Sequence, residues 1–184
     1  MGAAPTRPPG GTGPSVSGPC DDIVLPRPVV DAGHEIHHES ELLVIIGEGG
    51  KDIAPEDSMK HILGYSLGLD ITVSPADRSR RKSYDTFSPI GPYILLADEE
   101  VDPRSFEIVL AVNGEQRQKV STADLLTSVP EIVGYASSVM TLLPGDVIFT
   151  GTPPGVGPIW PGDQIEAGIS GIGSMRLNVV SQPG

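Results

Sequence analysis

Two glutamates, Glu39 and Glu41, stand two positions apart at the head of an apolar run, HHESELLVIIG over residues 37–47. In an extended strand side chains alternate, so both carboxylates would share one face, which continues through Leu43 and Ile45. Two acids beside a buried apolar face are costly unless they are paired or bound to a cation. A third acid, Asp70, lies between Leu69 and Ile71, another apolar setting. Three carboxylates completed by water suit a hard divalent cation, Mg²⁺, Mn²⁺ or Ca²⁺, because such ions prefer oxygen. Residue types alone leave a second reading open, since solvated surface acids are the commoner arrangement. Spacing by itself does not bring Asp70 to the glutamates.

Other stretches are weighed in the same way. Gly64-Tyr65-Ser66-Leu67-Gly68 matches the G-x-S-x-G pattern of a nucleophile elbow, which needs a strand before it, a helix after it and a histidine downstream. All four histidines (His34, His37, His38 and His61) precede Ser66, so the pattern is read instead as a helix exit packed by small residues. The tract Arg78-Ser79-Arg80-Arg81-Lys82 is the one dense basic cluster, either a solvated loop or the lining of a pocket for an anionic substrate. GTPPGVG (151–157) lacks the Lys-Ser/Thr ending of a P-loop. It is a tight turn, or a loop whose Thr152 hydroxyl and neighbouring amides hold a carboxylate. GISGIGSM (168–175) has no helix signal after it and is not a dinucleotide fingerprint.

The elements that must position these groups are mostly strands. The chain has 184 residues, suited to one domain with a real core. Its 23 Gly and 19 Pro, with only 4% aromatic residues, favour a turn-rich β fold built on Val, Ile and Leu. Residues 1–20 hold five Pro and five Gly and are expected to be flexible, with a catalytic domain over 21–184. DDIVLPRPVV is expected to be a strand interrupted by Pro26 and Pro28. APEDSMKHILGYSL is expected to be a helix, from Met59, Ile62 and Leu63 at helical spacing and Pro55, Glu56 and Asp57 in a first turn. GLDIT and GPYILLA follow as strands. Asn113-Gly114 joins two strands in a hairpin, and Ser128 with Glu131 has capping-box spacing and opens a second helix. PGD turns at 144–146 and 161–163 separate strands near DVIFTG, DQIEAGI and MRLNVV. Mostly strands with a few helices predict an α+β fold of sandwich or roll type, not an alternating parallel sheet.

The net charge of −12, from 12 basic and 24 acidic residues, argues against a nucleic-acid or anionic-membrane partner. One cysteine, Cys20, allows no internal disulfide and no Cys-based zinc site. No stretch approaches the roughly 18 apolar residues of a spanning helix, and MGAAPTRPPGG lacks the apolar centre of a signal peptide. The sequence reads as cytoplasmic.

Five ordered motifs, HHESELLVIIG, GYSLGLD, RKSYDTFSPIGP, VNGEQRQ and PGDVIFTGTPPGVG, closely resemble the fumarylacetoacetate hydrolase superfamily over about residues 14–180. The resemblance implies a mixed β-sandwich roll, a homodimer or larger assembly, and Mg²⁺ or Mn²⁺ held by Glu39, Glu41 and Asp70. It implies an active-site lysine at Lys82 and a substrate carboxylate held at Thr152, and Arg78 and Arg81 of the same basic tract are expected, from their charge, to bind an anionic substrate. The implied reaction is cleavage of a carbon–carbon bond in a small β-diketo or 2-oxo acid, such as an acylpyruvate from aromatic catabolism. The metal would act as a Lewis acid on a bound enolate, with Lys82 stabilising an oxyanion. Isomerases and decarboxylases of related oxo acids share that chemistry and are the alternatives.

The chain departs from the family pattern in two places. Hydrolases of the family carry an Asn-Tyr…His…Glu stretch whose His and Glu activate water, whereas no histidine precedes His34 here. That favours an isomerase or decarboxylase, or a catalytically impaired protein that binds metal and oxo acid only. A family glutamine seven residues after the metal aspartate is replaced by Asp77, which cannot donate a hydrogen bond when ionised. A similar loop occurs in an isomerase-like subgroup.

Overall fold

The computed structural model describes residues 16–18, 21–74 and 80–183. The expected flexible segment over 1–20 therefore lies almost wholly outside the described residues, as does Arg78. The chain opens with β1 (Val16–Ser17) and β2 (Ile23–Leu25), then turns into α1 (Arg27–Asp31). Pro26 caps that helix in extended backbone and Pro28 sits in its first turn, where a missing N–H costs nothing. The strand expected over DDIVLPRPVV thus ends before its first proline.

β3 (Glu35–His38) and β4 (Ser40–Ile46) follow, separated by Glu39 alone. A 3₁₀ helix covers Pro55–His61, then β5 (Ile62–Leu69) and β6 (Thr72–Ser74). This corrects the helix expected over APEDSMKHILGYSL. Only its first turns form, and ILGYSLGL is a strand paired antiparallel with β4 along its length. Helical spacing fails as a guide because Met59 and Leu63 are exposed while residues 64–69 are buried throughout. Gly64 fits where a side chain could not, since a Cβ there would lie 2.3 Å from the Leu95 carbonyl oxygen. Asp70 consequently follows a strand, not a helix.

β7 (Ser88–Pro89) and β8 (Leu95–Leu96) are short, so GPYILLA yields two strand residues. β9 (Glu107–Val112) and β10 (Glu115–Ser121) form the expected hairpin, with Asn113 and Gly114 both at positive φ, 53° and 79°. α2 (Val129–Val139) begins at the Ser128–Glu131 capping box. β11 (Val147–Phe149), β12 (Gly157–Pro158), β13 (Gln164–Ile169) and β14 (Gly173–Ser181) complete the fold. Both PGD turns have the same build: glycine at positive φ, and an aspartate accepting a 2.7 Å hydrogen bond from the amide three residues earlier.

A four-stranded sheet, β11-β4-β5-β8, packs on a five-stranded sheet, β10-β9-β13-β14-β2. Smaller sheets β12-β3-β6 and β1-β7 flank them. The fold is mainly β with a few helices, an open sandwich rather than a closed barrel. Leu42, Val44 and Ile46 of β4 enter one core with Tyr65 and Leu67 of β5 and Leu110 of β9. Tyr65 meets Phe106 with ring centroids 5.8 Å apart. The other face of β4 (Glu41, Leu43 and Ile45) is buried too, outside that core cluster. Among the described residues no helix is long and apolar enough to cross a membrane.

Gly155 is the glycine on which the loop after β11 depends. It has φ +100°, and a Cβ would lie 2.1 Å from the Arg117 carbonyl oxygen. Gly145 has φ +90° with open space around it. Gly145→Ala should cost about 1 kcal/mol, and Gly155→Ala several times that because backbone must also move. Equal losses in denaturant unfolding would show that the close approach at Gly155 is not limiting.

Candidate metal centre

The register of β4 on β5 decides which side chains meet. Ser40 pairs with Leu69 and Glu41 with Gly68. One step beyond the ladder the Asp70 amide donates 2.8 Å to the Glu39 carbonyl oxygen, so Asp70 becomes the cross-strand neighbour of Glu39. Gly68 is bare opposite Glu41, and a Cβ there would run into Leu43 at 2.7 Å. Glu39, Glu41 and Asp70 each offer a carboxylate oxygen within 4.8 Å of the others. The side chain of Glu39 therefore reaches the cluster from the break between two strands, not from within one continuous strand.

The segment after β6 supplies the countercharge. The Val73 amide donates to the Arg81 carbonyl oxygen and the Ile71 amide to that of Phe87, 2.9 and 2.8 Å, which lays residues 81–87 alongside 71–73. Lys82 thereby reaches across, donating from Nζ to Glu39 at 2.9 Å and to Asp70. The Arg81 charge acts on Asp70, and its Nε has no hydrogen-bond partner among the described residues.

One ammonium does not balance three carboxylates in a partly buried site. Burial, opposed by the Gly151 amide and reinforced by Asp70, pushes Glu41 up to about 7. Burial also raises Asp70, outweighing the hydrogen bond from Lys82. Burial works to lower the Lys82 pKa, but its bonds to Asp70 and Glu39 prevail and keep the ammonium protonated. An all-oxygen donor set with surplus negative charge fits a hard divalent ion, Mg²⁺, Mn²⁺ or Ca²⁺.

The loop after β11 closes the site. Thr150 donates from both its amide and its hydroxyl to the Leu42 carbonyl oxygen, and the Gly151 amide donates 2.7 Å to Glu41. Thr152 Oγ1 donates to the Ser40 carbonyl oxygen at 3.1 Å. Of the residues singled out in the sequence, the structure thus brings together Glu39, Glu41, Asp70 and Lys82, with Thr152 one residue from an amide that binds the cluster. An apolar cavity of about 880 Å³ lies against the same loop, lined by Ile108, Leu125, Ile132, Tyr135 and Pro153. None of the side chains of Glu39, Glu41, Asp70 and Lys82 lines it, so cavity and cluster are neighbours rather than one space.

The sequence does not single out Gln118, and it points the amides beside Thr152 at a substrate carboxylate, whereas the Gly151 amide binds Glu41. Gln118 is buried and bonds to Thr152, Pro153 and Ser40. It ends the VNGEQRQ motif, but nothing in β-strand spacing singles it out from Gln116. The two histidines beside the cluster point elsewhere: His37 to Glu35 at 2.8 Å, and buried His38 to Gln118 at 3.4 Å. Burial lowers the His38 pKa despite that bond.

Residues 4–180 match the family model for the fumarylacetoacetate (FAA) hydrolase C-terminal domain. The chain belongs to this family. It is similar, at 46% identity and a TM-score of 0.86, to maleylpyruvate hydrolase from Sphingobium sp. SYK-6 in complex with manganese(II) and pyruvate. That match covers 92% of this chain and 62% of the hydrolase, so the chain spans less than two thirds of that relative. A 5-carboxymethyl-2-hydroxymuconate delta-isomerase from Mycobacterium smegmatis matches at 39% identity and a TM-score of 0.85, covering 92% of this chain and 67% of that one. A mitochondrial oxaloacetate tautomerase of Oryza sativa subsp. japonica is 39% identical over 166 residues, 85% of this chain and 71% of that protein. The family is thus shared by relatives named for different reactions.

Glu41 gives the site a pH dependence of definite sign. Its folded pKa is raised from 4.5 to about 7, so its contribution to the stability of the metal-free protein is fully present below pH 4.5 and lost as pH rises through about 7. Cation binding needs the carboxylate, so Mn²⁺ affinity should rise with pH across the same window. Glu41→Gln should stabilise the metal-free protein at pH 8 by roughly 3 kcal/mol and abolish the rise in Tm on adding Mn²⁺. A variant that Mn²⁺ stabilises as well as it does the wild type would remove Glu41 from the ligand set.

Proposed function

We propose that this chain is a divalent-metal-dependent enzyme of small 2-oxo acids that hydrolyses a carbon–carbon bond in an acylpyruvate-type β-diketo acid. The observation that carries this reading is the convergence of Glu39, Glu41 and Asp70 within 4.8 Å, bridged by Lys82. Similarity to a hydrolase crystallised with manganese and pyruvate supports the substrate class. Mg²⁺ or Mn²⁺ held by the three carboxylates would supply Lewis-acid stabilisation of negative charge on a chelating oxo acid.

The chain's own groups do the rest. Lys82 directs two of its three N–H donors at Glu39 and Asp70, and among the described residues its third has no partner, which leaves it for a substrate oxygen that gains charge. The 150–152 segment, fixed to β4, receives the substrate carboxylate at Thr152. In hydrolysis, water oxygen bonds to the distal acyl carbon and the bond from that carbon to C3 breaks. The electron pair stays on the pyruvate fragment, which is then protonated. Arg81, beside Lys82, adds positive charge for an anionic substrate.

Isomerisation or tautomerisation of an oxo acid is the second reading. It is favoured by the engagement of His37 with Glu35 and of His38 with Gln118, which leaves neither imidazole directed at the carboxylates to activate water. A homodimer belongs to the same proposal, since Leu126, Tyr135, Val139 and Met140 are exposed around α2. Sedimentation would report it.

Purified protein with Mn²⁺ should convert at least one of a panel of acylpyruvates, 2-hydroxydienoates and enol-oxaloacetate. Two fragments mean hydrolysis, an unchanged carbon count means isomerisation, and CO₂ means decarboxylation. Lys82→Met should lower kcat by 10²-fold or more while the protein still binds Mn²⁺. Tight binding of pyruvate without turnover of any substrate would reduce the protein to a metal and oxo-acid binder.

A further inference from the structure

Gln118 is 1% exposed, lies in the middle of the hairpin strand β10, and spends its side-chain amide on the 38–40 and 152–153 segments. Oε1 accepts 3.0 Å from the Ser40 amide, between the two glutamates. Nε2 donates 2.9 Å to the Pro153 carbonyl oxygen and 2.9 Å to Thr152 Oγ1. The orientation of this amide is not arbitrary. The Ser40 N–H can only donate and the Pro153 carbonyl can only accept, so the oxygen must face Ser40 and the nitrogen Pro153.

That orientation has a consequence for Thr152. Its hydroxyl oxygen accepts a hydrogen bond from Gln118 on one side, so its own proton is directed away from Gln118. In the structure that proton goes to the Ser40 carbonyl oxygen, 3.1 Å away. The Thr152 hydroxyl has one proton, so donating to a substrate carboxylate means releasing the Ser40 carbonyl oxygen, and the bond from Gln118 keeps that proton from turning the other way. A carboxylate, which only accepts, needs that polarity.

We propose that Gln118 is a positioning residue, fastening the 152–153 loop to Ser40, between Glu39 and Glu41, and orienting the Thr152 hydroxyl so that its proton can be given to the substrate carboxylate. The second half rests on the reading of Thr152 given under the proposed function. Gln118 itself touches no reacting atom and acts through Thr152 and Ser40.

Two substitutions separate polarity from shape. Gln118→Met keeps the length and removes the amide, whereas Gln118→Glu keeps the shape and, when ionised, removes the donor. A spacer role predicts that Q118E is the milder change. The polarity role predicts the reverse, because an ionised carboxylate repels the Pro153 oxygen and draws the Thr152 proton toward itself. Pyruvate affinity of the Mn²⁺-loaded protein, measured by calorimetry, should fall about tenfold in Q118M and further in Q118E. Mn²⁺ affinity should stay within about threefold, because Gln118 contacts no carboxylate of the cluster. Amide exchange over residues 150–157 of the metal-free protein should accelerate in both variants. Thr152→Val should lose pyruvate affinity similarly, and adding Q118M to it should cost little more, as expected for two residues acting as one unit.

Unchanged loop exchange in Q118M, or additive losses in the double variant, would overturn the proposal. So would a milder effect of Q118E than of Q118M. Should Q118M not fold, Gln118→Asn, which retains the amide but shortens its reach by one carbon, carries the same expectations for loop exchange and pyruvate. A wild type that binds neither Mn²⁺ nor pyruvate would defeat the enzymatic reading and the carboxylate half of this one, while loop exchange would still decide whether Gln118 fastens the loop.

Discussion

Repulsion among three carboxylates held within 4.8 Å is the constraint that the rest of the structure answers to. At an effective dielectric constant near 20, each pair of charges at that distance costs roughly 3 kcal/mol. Three such pairs approach the whole net stability of an ordinary domain, about 5–15 kcal/mol. The chain relieves this in stages. Lys82 bridges Glu39 and Asp70, and the Gly151 amide caps Glu41. What is left unbalanced shows as the raised Glu41 pKa, about 7. A proton relieves that surplus at low pH and a divalent cation relieves it at high pH. The same imbalance makes the cluster expensive for the metal-free fold and attractive to the ion.

Holding the cluster against that repulsion requires a rigid frame on both sides. β4 supplies it by being buried on both faces, an arrangement common for central strands and unusual for one that carries a buried acid, Glu41, and follows directly on another, Glu39. Its Leu42–Val44–Ile46 face is fixed by the sandwich core. Its Glu41–Leu43–Ile45 face is buried as well, and the β11 loop is bonded to Leu42, Glu41 and Ser40 in succession. Gly155 allows that loop to approach β10, where Gln118 holds it. Stability and site geometry therefore share the same hydrogen bonds.

What the sequence disclosed follows from how local each signal is. The Asn113-Gly114 hairpin, the Ser128–Glu131 capping box and the two PGD turns are set by backbone chemistry within four residues, and each appears as expected. ILGYSL reads as helix because its neighbourhood mimics helical spacing, while its conformation is imposed by β4, a partner that is distant in pattern although near in sequence. The carboxylates were legible as residue types, but their convergence depends on a ladder register that ends at Ser40–Leu69, and no local pattern encodes that. Ordered motifs supplied the grouping that spacing could not. Gln118 stayed hidden for the opposite reason. Its neighbours in sequence are exposed polar residues of the same strand, and only the approach of the 152–153 loop distinguishes it.

The proposed metal cluster would suit hydrolysis and isomerisation equally, because both begin by stabilising negative charge on the oxygen of an oxo acid. They differ in where a proton goes. Hydrolysis needs an acceptor for a proton of water, and isomerisation moves a proton between carbon and oxygen of one substrate. Glu41 cannot accept a proton while it ligates a cation, since the two compete for the same lone pairs. Lys82 is kept protonated by the carboxylates it bridges, so it donates and does not abstract. His38 is held by Gln118 and His37 by Glu35. Among the described residues the site is therefore rich in donors and cations and poor in bases. Hydrolysis thus asks for one further group that isomerisation of a substrate already carrying an acidic enol does not, and that group, more than the metal centre, is where the two reactions part.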